Sequence, residues 1–169
     1  KNNLFLGFEA AVAGGIPVIK VIKESLIANK IKQITGVLNG TSNYLLDEIE
    51  KRSIDFKTAL KNAQDLGYAE SDPSFDINGM DAAHKIAILS AIVFDKMPDL
   101  DNMTIRGISN ITLDDLKFVD KFDYKVKMLA ISNDENNFQC SVEPWLIKKN
   151  HSLSSINGVL NAVEVMSNL

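Results

Sequence analysis

From Ile86 to Phe94 this chain carries no charged residue, and over 79–94 small and apolar side chains fall on every side of a helix: Met80, Ala83, Ile86, Ala87, Ser90 and Ala91, with Ile88, Leu89, Ile92 and Val93. A helix with almost no polar face is stable only when other elements surround it. The segment is therefore predicted as the central helix of a domain, with Pro98 marking its exit. A chain of 169 residues that is 46% hydrophobic can build one sizeable core around such a helix.

The flanking patterns supply what surrounds it. Pro17–Ala28 reads as a helix with Val18, Ile19, Ile22, Leu26 and Ile27 on its apolar side. Lys32–Leu38 alternates and is rich in Ile, Thr and Val, so it reads as a strand. Thr41–Glu50 and Phe56–Leu66 read as amphipathic helices, the second closed by Gly67. Leu113–Lys117 makes a short helix behind the cap residue Thr112. Tyr124–Ser132 and Phe138–Ile147 read as a hairpin around the polar turn 133–137, and Gly158–Met166 as a last strand. Helices and strands do not alternate strictly. The prediction is α+β, a mixed sheet packed by helices in a single domain over 1–169.

Charge gathers where the central helix begins. Residues 66–85 read LGYAESDPSFDINGMDAAHK, with Glu70, Asp72, Asp76, Asp81 and Lys85 set among small residues. Pro73 favours an extended Asp72 and a turn. Asp81 and Lys85, four apart, share one face of the first two turns, in the favoured order for an ion pair. The carboxylate also stands near the positive end of the helix dipole. A lysine entering a mostly buried helix needs a partner charge, and a partly dehydrated ammonium is a competent proton donor or acceptor. On spacing alone a second reading is favoured, since most such pairs are structural: Asn78 or Asp76 caps the helix and the pair merely stabilises its first turns.

The motif G-Y-x-x-x-D-P-x-x-D-I-x-G-x-D-x-x-x-K, carried by Gly67, Asp72–Pro73, Asp76–Ile77, Gly79, Asp81 and Lys85, resembles the signature of homoserine dehydrogenases. FEAAVAGGIPVIK (8–20) and ITGVLNGTSNYLL (34–46) are similar to that family's substrate domain, and SINGVLNAVEV (155–165) more loosely so. The resemblance implies NAD(P)-dependent interconversion of L-homoserine and L-aspartate 4-semialdehyde, in the pathway to threonine, methionine and isoleucine; the single cysteine, Cys140, which cannot form an internal disulfide, is read as that of a cytoplasmic protein. It implies that Lys85 handles the hydroxyl proton while Asp81 orients it, and that Glu70 and Asp76 contact the amino acid, their charge suiting its ammonium. It further implies that the Gly67 backbone approaches the cofactor, although a helix cap explains that glycine as well. Glu9, Val12, Gly14 and Ile16 match the family's monovalent cation (Na+) site, built mostly from backbone carbonyls with one carboxylate. A homodimer formed through the sheet is implied too, and strands over 124–147 are expected to offer edges that need cover.

No G-x-G-x-x-G loop occurs in the sequence, and AVAGGIP is a turn-then-helix signal instead. The chain is therefore expected to be the substrate and dimerisation domain, lacking the family's nucleotide-binding domain and the second catalytic lysine that falls ahead of Lys1. NAD or NADP preference is not encoded here. Two function classes follow: the substrate half of a dehydrogenase, inactive alone, or a non-enzymatic dimerisation module. Another semialdehyde dehydrogenase of similar plan would not be expected to carry the 66–85 block. Asn39–Gly40–Thr41 reads as a strand exit, with Thr41 or Ser42 capping the next helix. A net charge of −4 gives no support for nucleic-acid binding, and no apolar stretch reaches membrane-spanning length. Cys140 alternates with Phe138 and Val142 and reads as a core thiol, and His84 and His151 receive no role.

Overall fold

The computed structural model describes residues 4 and 6–168. Five strands form one sheet: β1 (Ile31–Val37), β2 (Thr104–Ile105), β3 (Tyr124–Asn133), β4 (Gln139–Lys148) and β5 (Ala162–Ser167). Their order is β2-β4-β3-β1-β5, antiparallel throughout except for the short parallel pairing of β2 with β4. With its helices this is the α+β architecture expected. The 124–147 hairpin differs from expectation in one respect: β3 lies inside the sheet between β4 and β1, so it offers no edge. β4 is covered by β2 only at Ser141 and Val142.

The helices are α1 (Val18–Lys20), which runs on into a wider π-type turn (Val21–Ser25), α2 (Gly40–Arg52), α3 (Phe56–Asp65), α4 (Ser74–Ile77), α5 (Met80–Phe94) and α6 (Leu113–Asp120). The predicted central helix is α5. Ala83, Ile86 and Leu89 on it are fully buried, packed with Ile34 of β1, Leu45 and Ile49 of α2 and Val142 of β4 in the main core. Each buried branched side chain contributes on the order of 2 kcal/mol. On the opposite face of the sheet, Val37, Leu129 and Ile147 pack with Leu153 from a 3₁₀ turn (Ser152–Ser155) in a smaller cluster.

Several elements depart from the sequence expectations for local reasons. The helix at 17–28 stops early: the Leu26 N–H bonds back to Val21 O, and Ile27 is exposed, so no core remains to be covered. α2 is not amphipathic but buried along Thr41–Ile49. Its polar side chains meet protein backbone instead of water, Asn43 Nδ2 donating to the carbonyls of Ile156 and Gly158 and Asp47 accepting from the Gly158 N–H. That loop is why the last strand starts at Ala162 and not at Gly158. The one-turn helix α4 and the two-residue β2 were too short to leave a periodic pattern. α6 extends to Asp120 behind a capping box made by Thr112 and Asp115.

Candidate active site

β1 delivers the chain to Leu38 and Asn39 at the end of the sheet, where α2 begins. The α4–α5 corner lies beside it. Gly79 makes that corner, with φ +93° and a would-be Cβ only 2.6 Å from the Met128 methyl. Only glycine fits there without strain. The cap residues expected from the sequence, Asn78 or Asp76, do not cap α5, whose N-cap is Gly79 with no side-chain bond. Asp76 is thereby left to face the start of α2.

The Asp81–Lys85 pair forms as its spacing predicts. Lys85 Nζ donates to Asp81 Oδ2 at 2.6 Å and to the Leu38 carbonyl at 3.0 Å. Both side chains are about three-quarters buried, with exposures of 25% and 24%. The ammonium is therefore tied to the strand end as well as to its own helix. Asn161 meets the same place: oriented to suit its neighbours, its amide nitrogen donates to Val37 O at 3.1 Å and Leu38 O at 3.2 Å.

Asn39 joins Asp76 to this pair. Its Nδ2 donates to Asp76 Oδ1 at 2.7 Å and to Asp81 Oδ2 at 2.8 Å, while its Oδ1 accepts from the Ser42 N–H at 2.8 Å and caps α2. Asn39 is thus the cap that had been assigned to Thr41 or Ser42. Thr41 holds the neighbouring loop instead, its hydroxyl donating to Tyr68 O at 2.8 Å. Neither contact was visible in the sequence, because the partners lie 27 to 42 residues away.

The other candidates divide. Glu70 stands exposed on the turn after α3, its backbone carbonyl held by Gln64 Nε2 at 3.0 Å. Hydrogen bonds from Ser74, hydroxyl first and then backbone N–H, hold the Asp72 carboxyl below the ordinary carboxylate range and shape the turn into α4. Gly67 has φ +74°, follows the last turn of α3 and has open space where a Cβ would stand. The helix-cap explanation therefore holds for it, and the open space leaves room for a close approach. His84 packs edge-on against Phe75, with centroids 5.5 Å apart.

At the first block, Ala13 (φ 55°) and Gly14 (φ 57°) make two successive left-handed residues, a tight reversal that the Ile16 N–H closes on Ala13 O at 3.1 Å. Val12 is fully buried. The carboxylate of Glu9 accepts from the N–H groups of Ile19 (2.7 Å) and Lys20 (3.1 Å). It is thus engaged with the start of α1. Among the described residues no group of three or more His, Cys, Asp or Glu could hold a metal ion.

Comparison with known proteins decides the family. The sequence model of the homoserine dehydrogenase family matches residues 17–169. The chain belongs to the homoserine dehydrogenase family. The homoserine dehydrogenase of Neisseria gonorrhoeae is 43% identical over 170 residues, covering 100% of this chain and 39% of that relative. The crystal structure of a homoserine dehydrogenase from Thiobacillus denitrificans superposes with a TM-score of 0.91 at 44% identity, over 95% of this chain and 37% of that one. A hyperthermophilic archaeal homoserine dehydrogenase in complex with NADPH superposes with a TM-score of 0.83 at 28% identity, over 99% of this chain and 47% of its own. The chain thus spans about two fifths of the length of the curated relatives it matches. No helix among the described residues is long and apolar enough to cross a membrane.

Proposed function

We propose that this chain is the substrate-binding and dimerisation domain, over 1–169, of an NAD(P)-dependent homoserine dehydrogenase of the cytoplasmic threonine, methionine and isoleucine pathway. The observation that carries the reading is the Lys85 ammonium, gripped by Asp81 Oδ2 and Leu38 O, with Asp76 drawn alongside. A bound nicotinamide ring would give or take the hydride. The chain's own residues handle the rest. Lys85 Nζ gives a proton to the aldehyde oxygen of L-aspartate 4-semialdehyde and takes it back from the hydroxyl of L-homoserine, while Asp81 keeps that nitrogen aimed. Asp76 and Glu70 offer negative charge to the substrate ammonium. Open space beside Gly67 suits backbone approach to the cofactor, and a carboxylate-lined strand end suits the substrate far better than a dinucleotide.

Calorimetric titration of L-homoserine into the complete gene product carrying this chain, with and without a nicotinamide cofactor, tests the reading. Binding that weakens in Asp76→Asn is expected, and no heat under either condition would refute it. The 169 residues alone are expected to show no turnover. A monovalent cation, Na+, would be held by the Glu9 carboxylate and the backbone carbonyls of Val12, Gly14 and Ile16, hard oxygen donors around the double left-handed turn. A higher melting temperature in sodium chloride than in choline chloride is expected, and equal temperatures would remove the cation.

A further inference from the structure

We infer that Asn39 is a positioning residue of this site, the amide that locks Asp76 and Asp81 into one arrangement and thereby aims Lys85. The inference rests on the proton-transfer role proposed above for Lys85.

Asn39 uses all its bonding groups at once. Two N–H groups go to two different carboxylates, at 2.7 and 2.8 Å, and the carbonyl oxygen takes the Ser42 N–H at 2.8 Å. At 5% exposure the residue is buried, so these bonds are made away from solvent. Capping alone would not call for asparagine, because serine and aspartate cap a helix as well. What serine and aspartate lack is a pair of donors on the same group as the cap acceptor. Two carboxylates on separate helices, α4 and α5, repel one another unless a donor lies between them, and Asn39 is that donor.

The geometry at Asp81 shows what this does for the lysine. Oδ2 receives both Lys85 Nζ at 2.6 Å and Asn39 Nδ2 at 2.8 Å, so two donors from different directions fix the plane of the carboxylate. Lys85 is aimed by a group that is itself aimed. Among the described residues Asp76 Oδ2 and Asp81 Oδ1 carry no protein hydrogen bond, which leaves one acceptor on each carboxylate for a substrate ammonium.

Two substitutions separate positioning from capping in the complete gene product. Asn39→Ser and Asn39→Asp both retain an oxygen for the Ser42 N–H, and both remove the pair of amide donors that joins the two carboxylates, serine keeping a single O–H. A melting temperature within a few degrees of wild type is expected for Asn39→Ser, and a clearly lower one for Asn39→Asp, which buries a third carboxylate beside two others. The turnover number should fall about 10- to 100-fold, the loss typical of a hydrogen bond to a charged group, with a smaller change in KM. Asn39→Asp should be the slower of the two, since it adds a third carboxylate. Lys85→Ala, measured beside them, separates the two claims. Normal turnover in Asn39→Ser while Lys85→Ala is inactive would overturn the positioning role and leave the site standing. Normal turnover in Lys85→Ala would overturn the site and this inference with it. Unfolding of both Asn39 variants, despite the retained cap acceptor, would show that Asn39 serves the fold instead.

Discussion

The resemblance assigns Glu70 and Asp76 together to the substrate amino acid, and the structure gives them different surroundings. Asp76 is built into a hydrogen-bonded cluster, whereas Glu70 stands exposed on the turn after α3. Their contributions should separate in the same way. Glu70→Gln removes a charge without disturbing packing, so it should leave the melting temperature unchanged and raise KM for homoserine at least as much as it lowers kcat. A loss confined to kcat would place Glu70 in the chemical step. At this scale the sequence revealed what is local. Asp81 and Lys85 lie one helical turn apart, so their pairing followed from spacing. Asn39 did not follow, because its carboxylate partners are 37 and 42 residues downstream and nothing in a strand-exit asparagine announces them. The contacts of Glu9 were hidden for the same reason, since its carboxylate reaches the amides of Ile19 and Lys20 ten and eleven residues away.

Elements carried more of their own information. α5 was legible because an all-round apolar helix has one place to go, and the structure puts it in the core. Gly79 fixes how α5 meets α4, and hence how Asp81 meets Asp76. With φ +93° and Met128, Ile105 and Val142 all within 3.3 Å of a would-be Cβ, Gly79→Ala should cost about 2 kcal/mol and depress turnover together with stability. A melting temperature equal to wild type would show that the corner relaxes freely. α2 was misjudged because burial of its polar side chains depends on a loop more than a hundred residues later.

The same contact contains Lys127 of β3, only 2% exposed, whose Nζ donates to Asn43 Oδ1 at 2.8 Å and Ile156 O at 2.5 Å. Burial pushes its pKa down to about 8, partly offset by the charge of Asp47. Between about pH 8 and 10 the unfolded chain therefore binds more protons at this residue than the folded one. The cost of burying its charge is full below about pH 8 and is relieved as pH rises across that window, so stability climbs there. The urea midpoint of wild type should climb relative to Lys127→Met from pH 8 to pH 10. A difference that stays constant with pH would contradict this.

For the whole molecule, α+β with a mixed sheet was readable from the irregular succession of helix and strand signals. Strand order was not, since β1 pairs with β3 and β5 across most of the chain and β2 is two residues long. That order moves the expected dimer contact from strand edges to a sheet face. Lys127, Leu129, Ile131 and Trp145 share one face, and Trp145 and Met166 remain 42% and 49% exposed on the part the 3₁₀ turn leaves uncovered. The chain should therefore scatter light as a dimer of about twice 18.6 kDa, and Trp145→Glu should shift it toward monomer. A wild-type monomer at micromolar concentration would remove the dimer from the account.

The central claim is that the Asp81–Lys85 pair serves homoserine chemistry and not merely the start of α5. Its most direct test is homoserine-dependent reduction of a nicotinamide cofactor, followed by absorbance in the complete gene product, with thermal melts on the same preparations. Lys85→Ala and Asp81→Ala should remain folded and lose turnover by about 100-fold or more, as expected when a proton-transfer group is removed. Variants that unfold, with soluble remnants turning over at the wild-type rate, would contradict the account and make the pair a helix-stabilising one.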